Sequence, residues 1–272
     1  MPLKTTLATF IIVAFSLSAY AGEHNIISTS DIQWGLLNPA RGDSSPKAAN
    51  LWGDRNKNVA TGMLVKFEKG FSSPPHIHNI SYRGIVIEGL LHNDDPGSEK
   101  MWLTPGSFWT QAAGENHITA ANGKSNLIYL EIDAGPYLVE PAAKAFDNGE
   151  RPVNIETGNL VWLTTNDVTW VNDNPVQIAY LWGGTGGKNG TFVKIPVNFH
   201  GYIEVKSDLK AVVIKGKAGY MWNRQGSSKK LSPGSFFSST HNAKHYLNTQ
   251  EDVILYVRSQ GKYSVKSAGG DK

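Results

Sequence analysis

The 272 residues include no cysteine, which excludes disulfides, thiolate metal sites and cysteine nucleophiles. Removing residues 1–21, which hold Lys4 and no acid, takes the formal net charge from +3 to +2, too small a bias to argue for a nucleic-acid partner. Length alone allows one domain or two.

The chain opens MPLKTTLATFIIVAFSLSAYA. A cation at Lys4, an apolar run from Leu7 to Leu17 and the small-x-small triplet Ala19-Tyr20-Ala21 predict a secretory signal peptide over 1–21, too short to span a bilayer. The mature chain is expected to start at Gly22 and to be secreted, into a bacterial periplasm or beyond. No later stretch offers about 18 consecutive apolar residues, so no membrane contact is expected of the mature form.

Beyond Gly22 the texture is all-β. TGMLVKFE, YRGIVIEGLL, NLIYLEI, AVVIKG and DVILYVRS are rich in β-branched and aromatic residues, and Gly, Pro, Asn and Asp punctuate them. One turn of helix fits Glu140 to Phe146. An internal repeat divides the chain. Trp34 matches Trp162, Leu51-Trp52-Gly53 matches Leu181-Trp182-Gly183, and IVIEG at Ile85 matches VVIKG at Val212. Pro105-Gly106-Ser107-Phe108 matches Pro233-Gly234-Ser235-Phe236, and His117 matches His245. The boundary is placed in the polar, turn-rich stretch Phe146 to Gly158, giving domains 22–146 and 147–272. Because Trp34, Trp52, Trp162 and Trp182 recur with the repeat, they read as core or interdomain packing.

The stretch Gly70 to Gly89, GFSSPPHIHNISYRGIVIEG, carries the chemistry. Residues two apart on a strand share a face, so His76 and His78 point together. Neutral imidazole is the commonest side-chain metal ligand, and His117 follows in AAGENH as a third. The Gly–His-x-His–Gly spacing resembles the first motif of the cupin family, with Tyr82 where the family keeps a glutamate. Pro105-Gly106, Ala112, Gly114 and His117 resemble the second motif, with Ala in place of Pro. Because the pattern occurs twice, the chain looks like a bacterial two-cupin protein, near the ChrR-like, anti-sigma-factor type of cupin. The resemblance implies tandem double-stranded β-helix (jelly-roll) barrels with one divalent metal, Fe, Mn, Ni, Zn or Cu, held by His76, His78 and His117.

Tyr82 has three readings: a phenolate ligand, an acid or base beside the metal, or filler that leaves a three-His site with open positions. Three neutral ligands leave the metal's charge uncompensated, which favours anionic substrates. Three-His cupins that lack the glutamate include thiol and β-diketone dioxygenases. Cupins with a tyrosine near the metal include lyases of small sulfonium acids. Glu88 either lines the pocket or sits on its rim, and Gln111 is a candidate behind the ligands. His92 is expected in an exposed loop. In the second domain Ile203, Val205 and Leu209 take the places of His76, His78 and Tyr82, and His245 remains alone. That domain is therefore read as degenerate. The expected function is a secreted, metal-dependent bicupin enzyme of dioxygenase type on a small anionic or enolisable molecule. The alternatives are a non-catalytic metal or small-ligand sensor and a lyase or isomerase using Tyr82. A homodimer is left open.

Overall fold

The computed structural model describes residues 23–171, 175–184 and 186–268. The signal peptide expected over 1–21 lies outside them. The fold is all-β, as the sequence predicts, with short 3-10 turns as its only helical elements among the described residues; one, Ala142–Lys144, falls in the stretch expected to turn.

The first half builds a seven-stranded antiparallel sheet in the order Val153–Ile155, Phe108–Gln111, Tyr82–Glu88, Asn126–Ile132, Thr61–Phe67, Lys47–Trp52, Gly35–Leu36. Facing it are two short pairs. His76–His78 pairs with Val139–Pro141, and Leu91–Asp94 pairs with Ile118–Ala121. The second half repeats the plan. A six-stranded sheet runs His24–Ile27, Phe236–Ser239, Leu209–Lys215, Val253–Gln260, Lys188–Ile195, Gln177–Gly183, and a five-stranded sheet faces it. The strand His24–Ile27 belongs to this second sheet, although it opens the described chain. It covers an edge that would otherwise present unpaired backbone groups.

Alternation along the central strands divides the core into three. Met63 and Val65 point into the first barrel with Tyr82, Trp109 and Leu130. Leu64 points the other way and meets Ile85, Phe108 and Tyr129. Against these pack Phe192, Val212, Phe236 and Tyr256 of the second large sheet. A third cluster fills the second barrel. The central strands are thus buried on both faces. This explains why MLV and IVI read as continuous apolar runs rather than alternating ones. All four repeat tryptophans pack against the cluster between the sheets. Trp52 donates to the Tyr129 hydroxyl at 3.1 Å, and Trp182 to that of Tyr256 at 2.9 Å.

Candidate metal centre

Pro74-Pro75 enters an extended strand that delivers His76 and His78 into the barrel. His117 arrives from the opposite strand. Its backbone exchanges two 3.0 Å hydrogen bonds with His76, after a turn in which Gly114 takes a φ of +77°. A Cβ at Gly114 would meet Phe146 O at 2.4 Å, so the turn requires glycine.

The three imidazoles are buried, their candidate ligand atoms all lie within 4.8 Å of one another, and they are the one such convergent group among the described residues. Each Nδ1 faces a backbone carbonyl: His76 that of Pro74 at 2.9 Å, His78 that of Leu138 at 2.9 Å, His117 that of Glu115 at 3.0 Å. A carbonyl only accepts, so every Nδ1 carries the proton, and the three Nε2 lone pairs are left to converge. Burial keeps the rings neutral. It lowers His76, pushes His78 well below the usual 6.5 and takes His117 down to about 3, with His–His repulsion adding to the shift in the last two. Pinned, neutral, convergent imidazoles are the donor set a borderline divalent cation requires, and the residues fit the metal that the cupin resemblance implies.

Two phenols flank this centre. The Tyr82 hydroxyl donates to Asn93 Oδ1 at 2.9 Å and lies 3.4 Å from His117 Nε2. Asn93 also accepts from Thr119 and donates to Gln111 Oε1 at 2.8 Å; Gln111 Nε2 donates to Glu115 at 3.1 Å. Gln111 therefore stands behind Tyr82, two hydrogen bonds away. This chain of amides directs the Tyr82 proton away from the histidines and turns its lone pairs towards them. Burial raises the Tyr82 pKa, so the phenol is neutral. The second phenol, Tyr137, stacks on His78 with ring centroids 4.4 Å apart, and its hydroxyl donates to the His78 Nε2 lone pair at 3.2 Å, a bond that a metal on this nitrogen would replace.

Glu88 is not brought to the site. A β-bulge opposite Leu127/Ile128 interrupts the alternation that would carry it onto the face of Tyr82, and its side chain is exposed at the strand end. Glu88 is not among the residues that line the cavity beside the histidines. His92 departs from expectation: it is buried in Leu91–Asp94 with its ring near Trp102. Tyr137, Asn93 and Arg41 were missed. Asn93 lies beside His92 in LLHNDDPGSEK, which reads as an exposed loop, although it stands two residues from buried Leu91. Tyr137 comes from a Gly-Pro loop with no periodic signal.

A cavity of about 570 Å³ opens from the histidines, with apolar walls that include Val65, Phe67, Phe71 and Leu130, and with Arg41 among its lining residues. Among the described residues the second barrel has no counterpart of the histidine cluster. Ile203 and Val205 are packed in its core, and Ile203 pairs with His245 as His76 does with His117. Both nitrogens of His245 are occupied, by the Tyr220 hydroxyl at 2.8 Å and the Ser239 hydroxyl at 3.0 Å.

Among solved structures, a proposed dioxygenase of Nostoc punctiforme matches at a TM-score of 0.69 and 13% identity, covering 92% of this chain and 88% of its own. Salicylate 1,2-dioxygenase of Pseudaminobacter salicylatoxidans matches at 0.60 and 13%, covering 91% and 88%. Oxalate decarboxylase of Lactobacillus farciminis, in its formate complex, matches at 0.56 and 12%, covering 89% and 88%. At such identities the likeness establishes the cupin fold and nothing finer. No curated protein matches by sequence. Residues 25–266 match the family model described as a domain of unknown function, DUF4437, and the chain belongs to that family.

Proposed function

We propose that this protein is a metal-dependent cupin enzyme, dioxygenase-like, acting on a small anionic or enolisable molecule. One observation carries the reading: three neutral imidazoles, each held through Nδ1 by a backbone carbonyl, turn Nε2 towards a common point at the end of an apolar-walled cavity. His76, His78 and His117 would hold the metal. The metal would supply Lewis acidity and open positions for oxygen or substrate. The protein's own part is to keep the imidazoles neutral and oriented, to place substrate between the cavity walls and to exclude water with Phe67, Phe71 and Tyr137.

The arrangement favours this reading over a lyase that uses Tyr82 as an acid. The single Tyr82 proton is committed to Asn93, so the phenol presents lone pairs to the centre. The fold likeness to salicylate 1,2-dioxygenase and to a proposed dioxygenase is in keeping with the choice. The oxalate decarboxylase likeness keeps decarboxylation of a small acid as the second reaction to test.

We further propose export through the 1–21 leader, a division of the chain at 146/147 with the second barrel structural, and kinship with the anti-sigma-factor cupins. The last rests on the duplicated motif alone.

The test is elemental analysis after loading with Fe(II), Mn(II), Ni(II), Cu(II) or Zn(II), followed by oxygen uptake and CO₂ release on small acids and β-diketones. About one metal per chain and oxygen uptake by one loaded form are expected. Metal binding without turnover on any substrate would favour a sensor. Two equivalents at comparable affinity would show that the second barrel has been misread.

A further inference from the structure

The cavity that reaches the histidines has a second polar feature at a different point on its lining. Arg41 lies in the segment Pro39–Ser44, which is closed on itself at both ends. The Asn38 side chain accepts from Ala40 N at 3.1 Å, Asn38 N donates to the Ser45 hydroxyl at 2.9 Å, and Leu37 N donates to Pro46 O at 2.8 Å. The guanidinium lies over the ring of Phe71, with Cζ 5.6 Å from the centroid. Phe71 in turn packs on Phe67, ring centroids 5.0 Å apart. Among the described residues, Arg41 makes no side-chain hydrogen bond and no ion pair. The one carboxylate on the lining, Glu140, is paired with Lys144 at 2.8 Å. Arg41 is thus the one cation without a carboxylate partner among the residues that line the cavity.

We infer that Arg41 is the anion-recognition residue of this cavity and that the ligand it selects is a monocarboxylate carrying a flat apolar body. The inference deepens the proposed function, since it rests on reading the cavity as the substrate site. Three features set the class. The planar guanidinium fork matches a carboxylate with two parallel hydrogen bonds. No second cation stands on the lining, so a dianionic phosphate ester would keep one charge unanswered at that end. A volume of about 570 Å³ with Phe67, Phe71, Val65 and Leu130 on its walls is far larger than a two-carbon diacid needs, and such a diacid would leave those walls unused. A ring-bearing carboxylate meets the cation with its charged end and the phenylalanines with its body.

The test is calorimetric titration of the full mature chain with phenylacetate, phenylacetamide, phenyl phosphate and oxalate. Wild type, Arg41→Gln and Arg41→Lys are compared, each metal-free and Zn(II)-loaded. Arg41 is exposed, so both variants are expected to melt with the wild type. Phenylacetate should bind wild type more tightly than the other three probes. Arg41→Gln should weaken it roughly ten- to a hundredfold, as loss of charge-assisted hydrogen bonds does, and Arg41→Lys should weaken it less. Phenylacetamide affinity should not change with the variant. The inference is overturned by any of three results: no phenylacetate binding to wild type, equal affinity in Arg41→Gln, or phenyl phosphate or oxalate preferred. The Arg41 contrast is read in the metal-free chain as well. Failure to bind zinc would therefore count against the proposed function while leaving this inference to its own outcome.

Discussion

At the scale of single residues, the site is decided by where protons are held. The three Nδ1–H groups are fixed by carbonyls, and the Tyr82 proton by Asn93. His78→Ala should therefore abolish tight metal binding, because it removes one of three protein ligands. His245→Ala should leave binding unchanged, because among the described residues no second ligating side chain converges on that imidazole. Competition with a chromophoric chelator measures both, and equal losses would mean that the two barrels share a site. Tyr82→Phe keeps the ring and removes one buried hydrogen bond. It should cost about 0.5–1.5 kcal/mol in urea unfolding and leave metal affinity intact. A sharp loss of metal would instead make the phenol a ligand.

The same burial has a pH consequence. His117 and His245 each have a folded pKa of about 3 against an ordinary 6.5. Below 6.5 the unfolded chain takes up protons that the folded chain refuses. Stability is thus complete above about pH 6.5 and is lost as pH falls towards 3. At pH 5 each such imidazole costs of order 2 kcal/mol relative to pH 7. The urea midpoint of the metal-free chain should fall between those pH values. Bound metal should raise the midpoint at both pH values without flattening the fall, because the folded rings are neutral with or without it and the protons are taken up by the unfolded chain. A midpoint that stays level from pH 7 to 5 in the metal-free chain would show that the rings protonate in place.

At the scale of elements, the sequence was legible where one strand carried the whole message. His76-Ile77-His78 is three consecutive residues, and period 2 alone puts both imidazoles on one face. His117 was legible because Gly114 marks the turn that presents it. Glu88 was not, since alternation is a rule for regular strands and the bulge beside Ile87 suspends it. Tyr137 lies beyond any periodicity argument. It is held by its backbone N–H on Arg55 O at 2.8 Å, and by Asn79, whose side chain bonds Pro136 O and Leu138 N; sequence spacing reports none of these contacts. Gly84 shows the reverse case, a residue whose value appears only in packing. It stands on the inward face between Tyr82 and Val86, and a Cβ there would lie 2.1 Å from the Trp109 ring. The Trp109 ring lines the cavity. Gly84→Ala should therefore destabilise by about 1–3 kcal/mol and displace the indole into the cavity. Urea unfolding together with Trp fluorescence quenching by small solutes measures both. Wild-type values in both would mean that the sheet absorbs the methyl group.

At the scale of the whole molecule, the two halves meet through equivalent positions of the repeat. Trp52 bonds Tyr129 and Trp182 bonds Tyr256, and the two tyrosine rings lie 5.5 Å apart. The next inward position of the same strands breaks this likeness. It is Glu131 in one half and Arg258 in the other, and the two form a buried ion pair at 3.0 Å. Glu131 also accepts from Tyr129 at 3.0 Å and Tyr256 at 2.8 Å, while Arg258 reaches Asp133 at 2.6 Å. Identical residues at this place would set like charges face to face. Two first halves brought together would confront Glu131 with Glu131, so the pair specifies that each first half joins a second half. A buried pair of this kind adds little against an apolar replacement of the same shape, but removing one partner leaves a buried charge poorly compensated. After Arg258→Met, Glu131 keeps only Arg83 at 3.5 Å, so the variant should cost about 2–4 kcal/mol, and Glu131→Gln less, because the amide still fills the place and accepts from the tyrosines. The double variant should recover part of the loss, with a coupling of at least about 1 kcal/mol in a urea double-mutant cycle. Additive losses would show that the halves are held by Phe192, Phe236 and their apolar neighbours alone, and that the opposite charges do not select the pairing.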